Sequence, residues 1–274
     1  MPTLSIKSSG AEVLELQKAL GLPQSECDGV FGKHTEAAVR QFQSTHTYMG
    51  APLAVDGVAG TITQKVLGLI PYHPNAIANG VIYKPLNISL SKSKNRKIEY
   101  LVIHFTAGSN SKPGKALSSY ITFSQGKASA DFVVDDRDIV QFNPDIRNTY
   151  CWAVGGNKYN NKGGKFYKKC TNANSVHIEI CSTCSPSTGK AVSVPNHTGW
   201  SFTAPTLSNA IRLARIIMRT FNIPKSHVIR HYDVTGKPCP GICGWNDEPL
   251  RTISGDTTSR QNTSHEWQKF LANL

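Results

Sequence analysis

One short pattern occurs twice within the first 70 residues, and that repetition limits what this part of the chain can fold into. DGVFGKHTEAAVRQFQ begins at Asp28 and DGVAGTITQKVLG at Asp56, a period of 28 residues. Each copy reads Asp-Gly-x-x-Gly, then Thr, then apolar residues at helical spacing. The glycines permit the positive φ of a tight turn, and Lys33-His34-Thr35 or Thr61-Ile62-Thr63 supplies helix-start chemistry. Upstream, GAEVLELQKALG places Val13, Leu16, Gln17 and Leu20 at helical spacing and ends on Gly21 as a C-cap. The prediction for residues 1–70 is a bundle of three short helices.

These features, with the pairs Leu16-Gln17 and Phe42-Gln43, resemble the peptidoglycan-binding domain found at the ends of many bacterial and phage cell-wall hydrolases. The resemblance covers about residues 4–70 and implies bacterial peptidoglycan as the partner. Composition alone fits a helical bundle with no ligand equally well.

A chain of 274 residues has room for about two domains at roughly 150 residues each. No apolar run approaches the ~18 residues of a membrane helix, so no integral membrane segment is expected. Net charge is +12, which favours polyanions such as nucleic acid, anionic membrane or an acidic cell wall. No basic motif interleaved with aromatics accompanies the charge, so a nucleic-acid partner is not expected. The opening MPTLSIKSSG has neither a basic n-region nor an apolar h-region, and no signal peptide is expected. Seven cysteines, an odd number, argue for reduced thiols rather than a disulfide framework. Cys181-x-x-Cys184 has metal-ligand spacing, but a companion pair is lacking.

Residues 71–97 carry three prolines with several Asn and Ser, a linker composition, although GVIYKPLNISL suits a strand on the following domain. From Ile98 the pattern is that of an α/β domain extending to Leu274. IEYLVIHFTAG and NSVHIEICS read as buried strands, ASADFVVDDRDIVQFNP as a hairpin, and SHVIRHY as a last strand. TLSNAIRLARIIMRTFNIP is an amphipathic helix with Leu207, Ile211, Ala214, Met218 and Phe221 on one side. Strands interleaved with a helix predict a mixed central sheet with packed helices.

His104 closes the first strand and His231 the last, and strand ends are where such sheets place sites. In HYDVTGKPCPG, Lys237 and Cys239 each precede a proline, which biases both towards extended backbone facing one spot. Two histidines and a cysteine leave a fourth position free on tetrahedral zinc, the catalytic arrangement. A lysine beside them suits a developing oxyanion. On the strand at 176–180, His177 and Glu179 share one face and Val176, Ile178 and Ile180 the other. A carboxylate there is costly to bury unless paired or functional, so Glu179 is either a general base or half of a salt bridge.

LVIHFTAG, SADFVVDD, NSVHIEI and HYDVTGKPCPG, in that order, resemble the zinc-dependent N-acetylmuramoyl-L-alanine amidases of type 2. The resemblance implies Zn2+ as cofactor, with His104, His231 and Cys239 as ligands, Glu179 as acid/base and Lys237 as stabiliser of the tetrahedral intermediate. It points to Thr106 and Trp152 as substrate contacts. The implied reaction cleaves the amide between N-acetylmuramic acid and the L-alanine of the stem peptide. With no leader expected, a wall-binding repeat suggests a phage or prophage endolysin, made in the cytoplasm and acting on the wall after release. A non-catalytic recognition module and a cysteine peptidase of the stem peptide are the alternatives. Two departures stand out: Ala153 occupies the place of a frequent histidine, and Asp131, where a histidine or tyrosine is common, is given no catalytic role. His177 is expected behind the ligands or facing substrate. Residues 184–202 and 243–265 look like insertions.

Overall fold

The computed structural model describes residues 2–48, 51–69, 75–78, 80–87, 89–107, 115–184, 194–251 and 261–274. The chain divides into two compact units, residues 1–74 and 75–274.

In the first unit the repeated pattern folds as spaced. Helices α1 (Ala11–Ala19), α2 (Lys33–Thr45) and α3 (Thr61–Val66) form, with a small antiparallel pair, β1 (Thr47–Tyr48) and β2 (Ala51–Pro52), between the last two. Gly29 and Gly57 turn the two Asp-Gly loops at φ 73° and 71°. Each loop is tied by the glutamine of the preceding helix. Gln17 donates Nε2 to Asp28 Oδ1 (2.9 Å), Val30 O (3.1 Å) and Thr35 Oγ1 (3.1 Å), and its Oε1 accepts the Gly29 N–H at 2.8 Å. Gln43 makes the same four bonds with Asp56, Val58, Thr63 and Gly57, at 2.8, 3.0, 3.2 and 2.9 Å. Both amides are buried, so saturating them locally removes a desolvation cost of roughly 1–3 kcal/mol per unmet group. Leu4, Val13, Leu16, Phe31, Val39 and Ala59 pack between the helices.

The second unit begins with β3 (Ile82–Tyr83) and β4 (Leu90–Lys92), followed by β5 (Tyr100–Phe105), α4 (Lys115–Phe123), β6 (Phe132–Val134), β7 (Ile139–Gln141) and β8 (Thr149–Cys151). Then come β9 (Ser175–Ile180), β10 (Thr183–Cys184), β11 (Trp200–Ser201), α5 (Ala204–Phe221), β12 (Val228–Arg230), α6 (His231–Thr235) and α7 (His265–Ala272). Six strands form a mixed sheet in the order β12-β5-β9-β6-β7-β3. The neighbours from β12 to β6 run parallel, β6 and β7 form the antiparallel hairpin, and β3 adds a parallel edge.

Residues 75–97, linker-like in composition, therefore lie in the second unit. β3 extends the sheet, β4 pairs with β8, and Arg96 is buried. The Arg96 guanidinium donates to the carbonyls of Ile146 (2.6 Å), Asn172 (3.1 Å) and Ser175 (2.7 Å), fastening the approach to β9.

Alternation along the strands sorts the faces. Leu101, Ile103, Phe132, Val176, Ile178 and Ile180 pack with α5 and with Trp267 and Phe270 of α7. Ala210, Leu213, Ala214 and Ile217 form the buried stripe of α5; Leu207, Ile211, Met218 and Phe221 flank it, so the apolar face is rotated from the one expected. On the other side of the sheet lie Tyr100, Val102 and Val133. His104, His177 and Glu179 share that side by the same period-2 rule, with His104 opposite Glu179 and Val102 opposite His177 in the β5–β9 register.

Residues 185–193 and 252–260, much of the two apparent insertions, fall outside the described residues.

Candidate metal centre

The HYDVTGKPCPG segment is shaped by bonds that its own residues supply. Sequence spacing placed His231 at the end of a strand; instead β12 stops at Arg230 and His231 opens α6. The reason is Asp233, whose Oδ2 accepts the Arg230 backbone N–H (2.8 Å) and Nε–H (2.9 Å), capping a helix start. Gly236 ends the turn at φ 81°, its N–H donating to Tyr232 O at 2.9 Å. A Cβ there would lie 3.0 Å from Lys162 Cβ and 3.1 Å from Gly163 N, so glycine fits on both conformation and space. The chain then folds back until the Tyr232 N–H donates to Cys239 O at 3.0 Å. The Cys239–Pro240 peptide is cis.

This reversal brings Cys239 and His231 to His104 at the end of β5. One ligand atom from each lies within 4.8 Å of the other two, the one group of three or more His, Cys, Asp or Glu side chains so placed among the described residues. His104 Nδ1 is 3.8 Å from Cys239 Sγ, and the His104 and His231 rings are 4.8 Å apart. All three are buried at the wall of a cleft of about 740 Å3 that Thr106, Trp152, Glu179 and Lys237 also line. Lys237 is exposed where Cys239 is buried, yet both face this cleft.

Burial sets the charge states. It pushes the His231 imidazole down to about 3, with the Lys237 charge acting the same way, and holds His104 well below the usual histidine range. Both rings are therefore neutral and offer lone pairs. Burial raises the Cys239 thiol to about 12, with Glu179 adding to the rise. The Glu179 carboxyl is raised to about 8 by burial, opposed by Lys237. Its Oε2 is sealed from solvent without a hydrogen-bond partner among the described residues. Two neutral imidazoles, one sulfur and an unsatisfied carboxyl oxygen suit a divalent cation of the zinc type, whose charge would favour the thiolate.

Residues 94–242, more than half of the chain, match the family described as N-acetylmuramoyl-L-alanine amidase. The chain belongs to this amidase family. It is a peptidoglycan amidase, and residues 9–67 match a putative peptidoglycan binding domain. Among solved structures, PlyL is 22% identical over 58% of this chain and 86% of its own, with a TM-score of 0.41. A mutant endolysin from Bacillus subtilis is 22% identical over 70% and 97%, with a TM-score of 0.45. The catalytic domain of XlyA is 20% identical over 70% and 97%, with a TM-score of 0.44. No curated protein matches the chain.

Several residues of the amidase domain escaped the sequence reading. Helix α4 was not foreseen, although Ala116, Leu117, Tyr120 and Phe123 stand at helical spacing; its Ser119 and Thr122 line the cleft. Asp131 is buried, accepting from Asn143 Nδ2 (2.6 Å) and the His177 backbone N–H (2.8 Å), which supports the strand rather than the chemistry. Ala153 lines the cleft, and the N–H groups of Ala153 and Val154 both donate to Asn172 Oδ1. The seven cysteines form no disulfide.

Proposed function

We propose that the amidase cleaves the bond between the lactyl group of N-acetylmuramic acid and the L-alanine of the stem peptide, with zinc held by His104, His231 and Cys239. The observation that carries this reading is the convergence of those three donors beside an unpartnered Glu179 oxygen in one cleft. Zinc in that triad would supply Lewis acidity to the scissile carbonyl and to the attacking water. A cation in the triad would join the Lys237 charge in favouring the ionised form of Glu179 against its burial. The Glu179 carboxylate then takes a proton from that water and returns it to the leaving amine, so that the C–N bond breaks to a carboxylic acid and a free amino group. The Lys237 ammonium, on the rim of the cleft, stabilises the negative charge that develops on the carbonyl oxygen. Thr106 and the half-exposed Trp152 contact the glycan or stem peptide.

The N-terminal unit holds the enzyme on the wall, which suits an endolysin released onto its substrate. No described helix is long and apolar enough to cross a membrane.

Mass spectrometry of fragments from defined peptidoglycan tests the reading. Stem peptides with a free L-alanine amino group and glycan strands without peptide are expected, with loss of both after chelation and recovery with Zn2+. Cuts within the stem peptide would overturn it, as would intact wall after incubation with the zinc-loaded protein. A cysteine peptidase would survive chelation and fail on alkylation; a thiol pushed up to about 12 is poorly suited to that role.

A further inference from the structure

Behind His104 runs a chain of hydrogen bonds that leads away from the cleft. His104 Nε2 is 3.2 Å from His177 Nδ1, and His177 Nε2 is 2.9 Å from Ser175 Oγ. Ser175 Oγ donates to Thr171 O at 2.5 Å. His104, His177 and Ser175 are all buried.

The end of the chain fixes its direction. A backbone carbonyl only accepts, so the Ser175 hydroxyl proton lies towards Thr171. Ser175 Oγ then has only lone pairs for His177, whose Nε2 must carry a proton. The two hydrogen-bond partners of this buried ring, Ser175 Oγ and His104 Nε2, include no anion that would hold a second proton on it, so His177 is a neutral imidazole. A neutral ring with a proton on Nε2 has none on Nδ1, so Nδ1 accepts, and the donor is His104 Nε2–H. That leaves His104 Nδ1 bare, and this is the atom that faces Cys239 Sγ at 3.8 Å.

We propose that His177 and Ser175 are positioning residues that lock His104 in the Nε2–H tautomer and so present its Nδ1 lone pair to the metal. This rests on the metal-site reading above and adds an outer layer to it. Neither residue touches the reacting atoms. They act through His104 by removing a tautomer that cannot ligate and by holding the ring plane, as outer partners of metal-bound histidines do. The strand supplies the geometry: Ser175 and His177 are two apart on β9, so both face the same side, and His177 sits opposite Val102, one pleat behind His104.

Zinc affinity of the full-length protein, stripped of metal and titrated against a chromophoric chelator, provides the test. His177→Leu keeps bulk but offers no acceptor, and should lower affinity roughly 10- to 100-fold; Ser175→Ala should lower it in the same direction. His177→Gln, whose side-chain oxygen can accept from His104 Nε2–H, should restore part of the loss. Unchanged affinity in a folded His177→Leu protein overturns the proposal while leaving the metal site standing, whereas a wild-type protein that binds no zinc overturns both. Should His177→Leu fail to fold, imidazole nitrogen NMR of the metal-free wild type decides. Nε2–H forms of both His104 and His177 are expected, and an Nδ1–H form of either ends the idea.

Discussion

His104 Nδ1 and Cys239 Sγ meet at 3.8 Å although 135 positions separate them in the chain. Cys239 contributes the only sulfur of the triad, and its loss leaves two neutral imidazoles. Cys239→Ala and Cys239→Ser should drop zinc content well below one ion per chain and lower wall lysis by at least about 100-fold. Elemental analysis with turbidity clearing of purified walls checks this, and full lysis by the alanine variant would refute the ligand role.

Glu179→Gln preserves shape and removes the proton acceptor. The turnover number should fall by about 100- to 10,000-fold, the usual worth of a general acid/base, while zinc content stays unchanged. Steady-state kinetics on a soluble muropeptide, paired with metal analysis, separates this from a structural salt bridge; undiminished turnover would remove Glu179 from the chemistry.

Trp152 is 44% exposed at the cleft rim, its indole N–H donating to Ser91 Oγ at 2.9 Å. An exposed aromatic of that kind suits contact with a sugar face or peptide. Trp152→Ala should raise KM by roughly 5- to 30-fold, equivalent to about 1–2 kcal/mol, with little change in kcat or bound zinc. A fall in kcat at constant KM would contradict a role in ground-state binding.

Gln17 and Gln43 make matching sets of bonds, so their alanine variants should behave alike. Each leaves a glycine N–H without its acceptor, while the Val30 and Val58 carbonyls keep the N–H groups of Gly32 and Gly60, at about 2 kcal/mol of lost stability in the N-terminal unit. Amide exchange of the full chain should show lost protection at Gly29 for Gln17→Ala and at Gly57 for Gln43→Ala, with weaker retention on purified wall for both. Native-like exchange in either variant would show that the amide is not what holds the loop.

How far the sequence could be read follows from the range of the forces involved. The Asp-Gly loops, the three helices and the period-2 placement of His177 and Glu179 depend on neighbours a few residues apart, and the residue pattern displays them. His231 was misplaced by one element because capping by Asp233 outweighs the β-preference of VIRHY, a competition that spacing alone does not rank. The rotated stripe of α5 and the buried Arg96 depend on partners far along the chain. Arg96 ends in a charge and follows Asn and Ser, so its composition reads as solvent-facing, and only the carbonyls of Ile146, Asn172 and Ser175 explain its burial. Helix α4 was legible in principle, but the serines among its apolar positions obscured the period.

That arginine also determines where the catalytic half can be cut free. A fragment started at Ile98, just ahead of the first long strand, would discard the guanidinium together with the edge strand Ile82–Tyr83, stranding several main-chain oxygens in a dry interior and baring one margin of the sheet. The smallest piece able to stand alone should therefore reach back to about Asn75, more than twenty residues into what looks on paper like disposable tether.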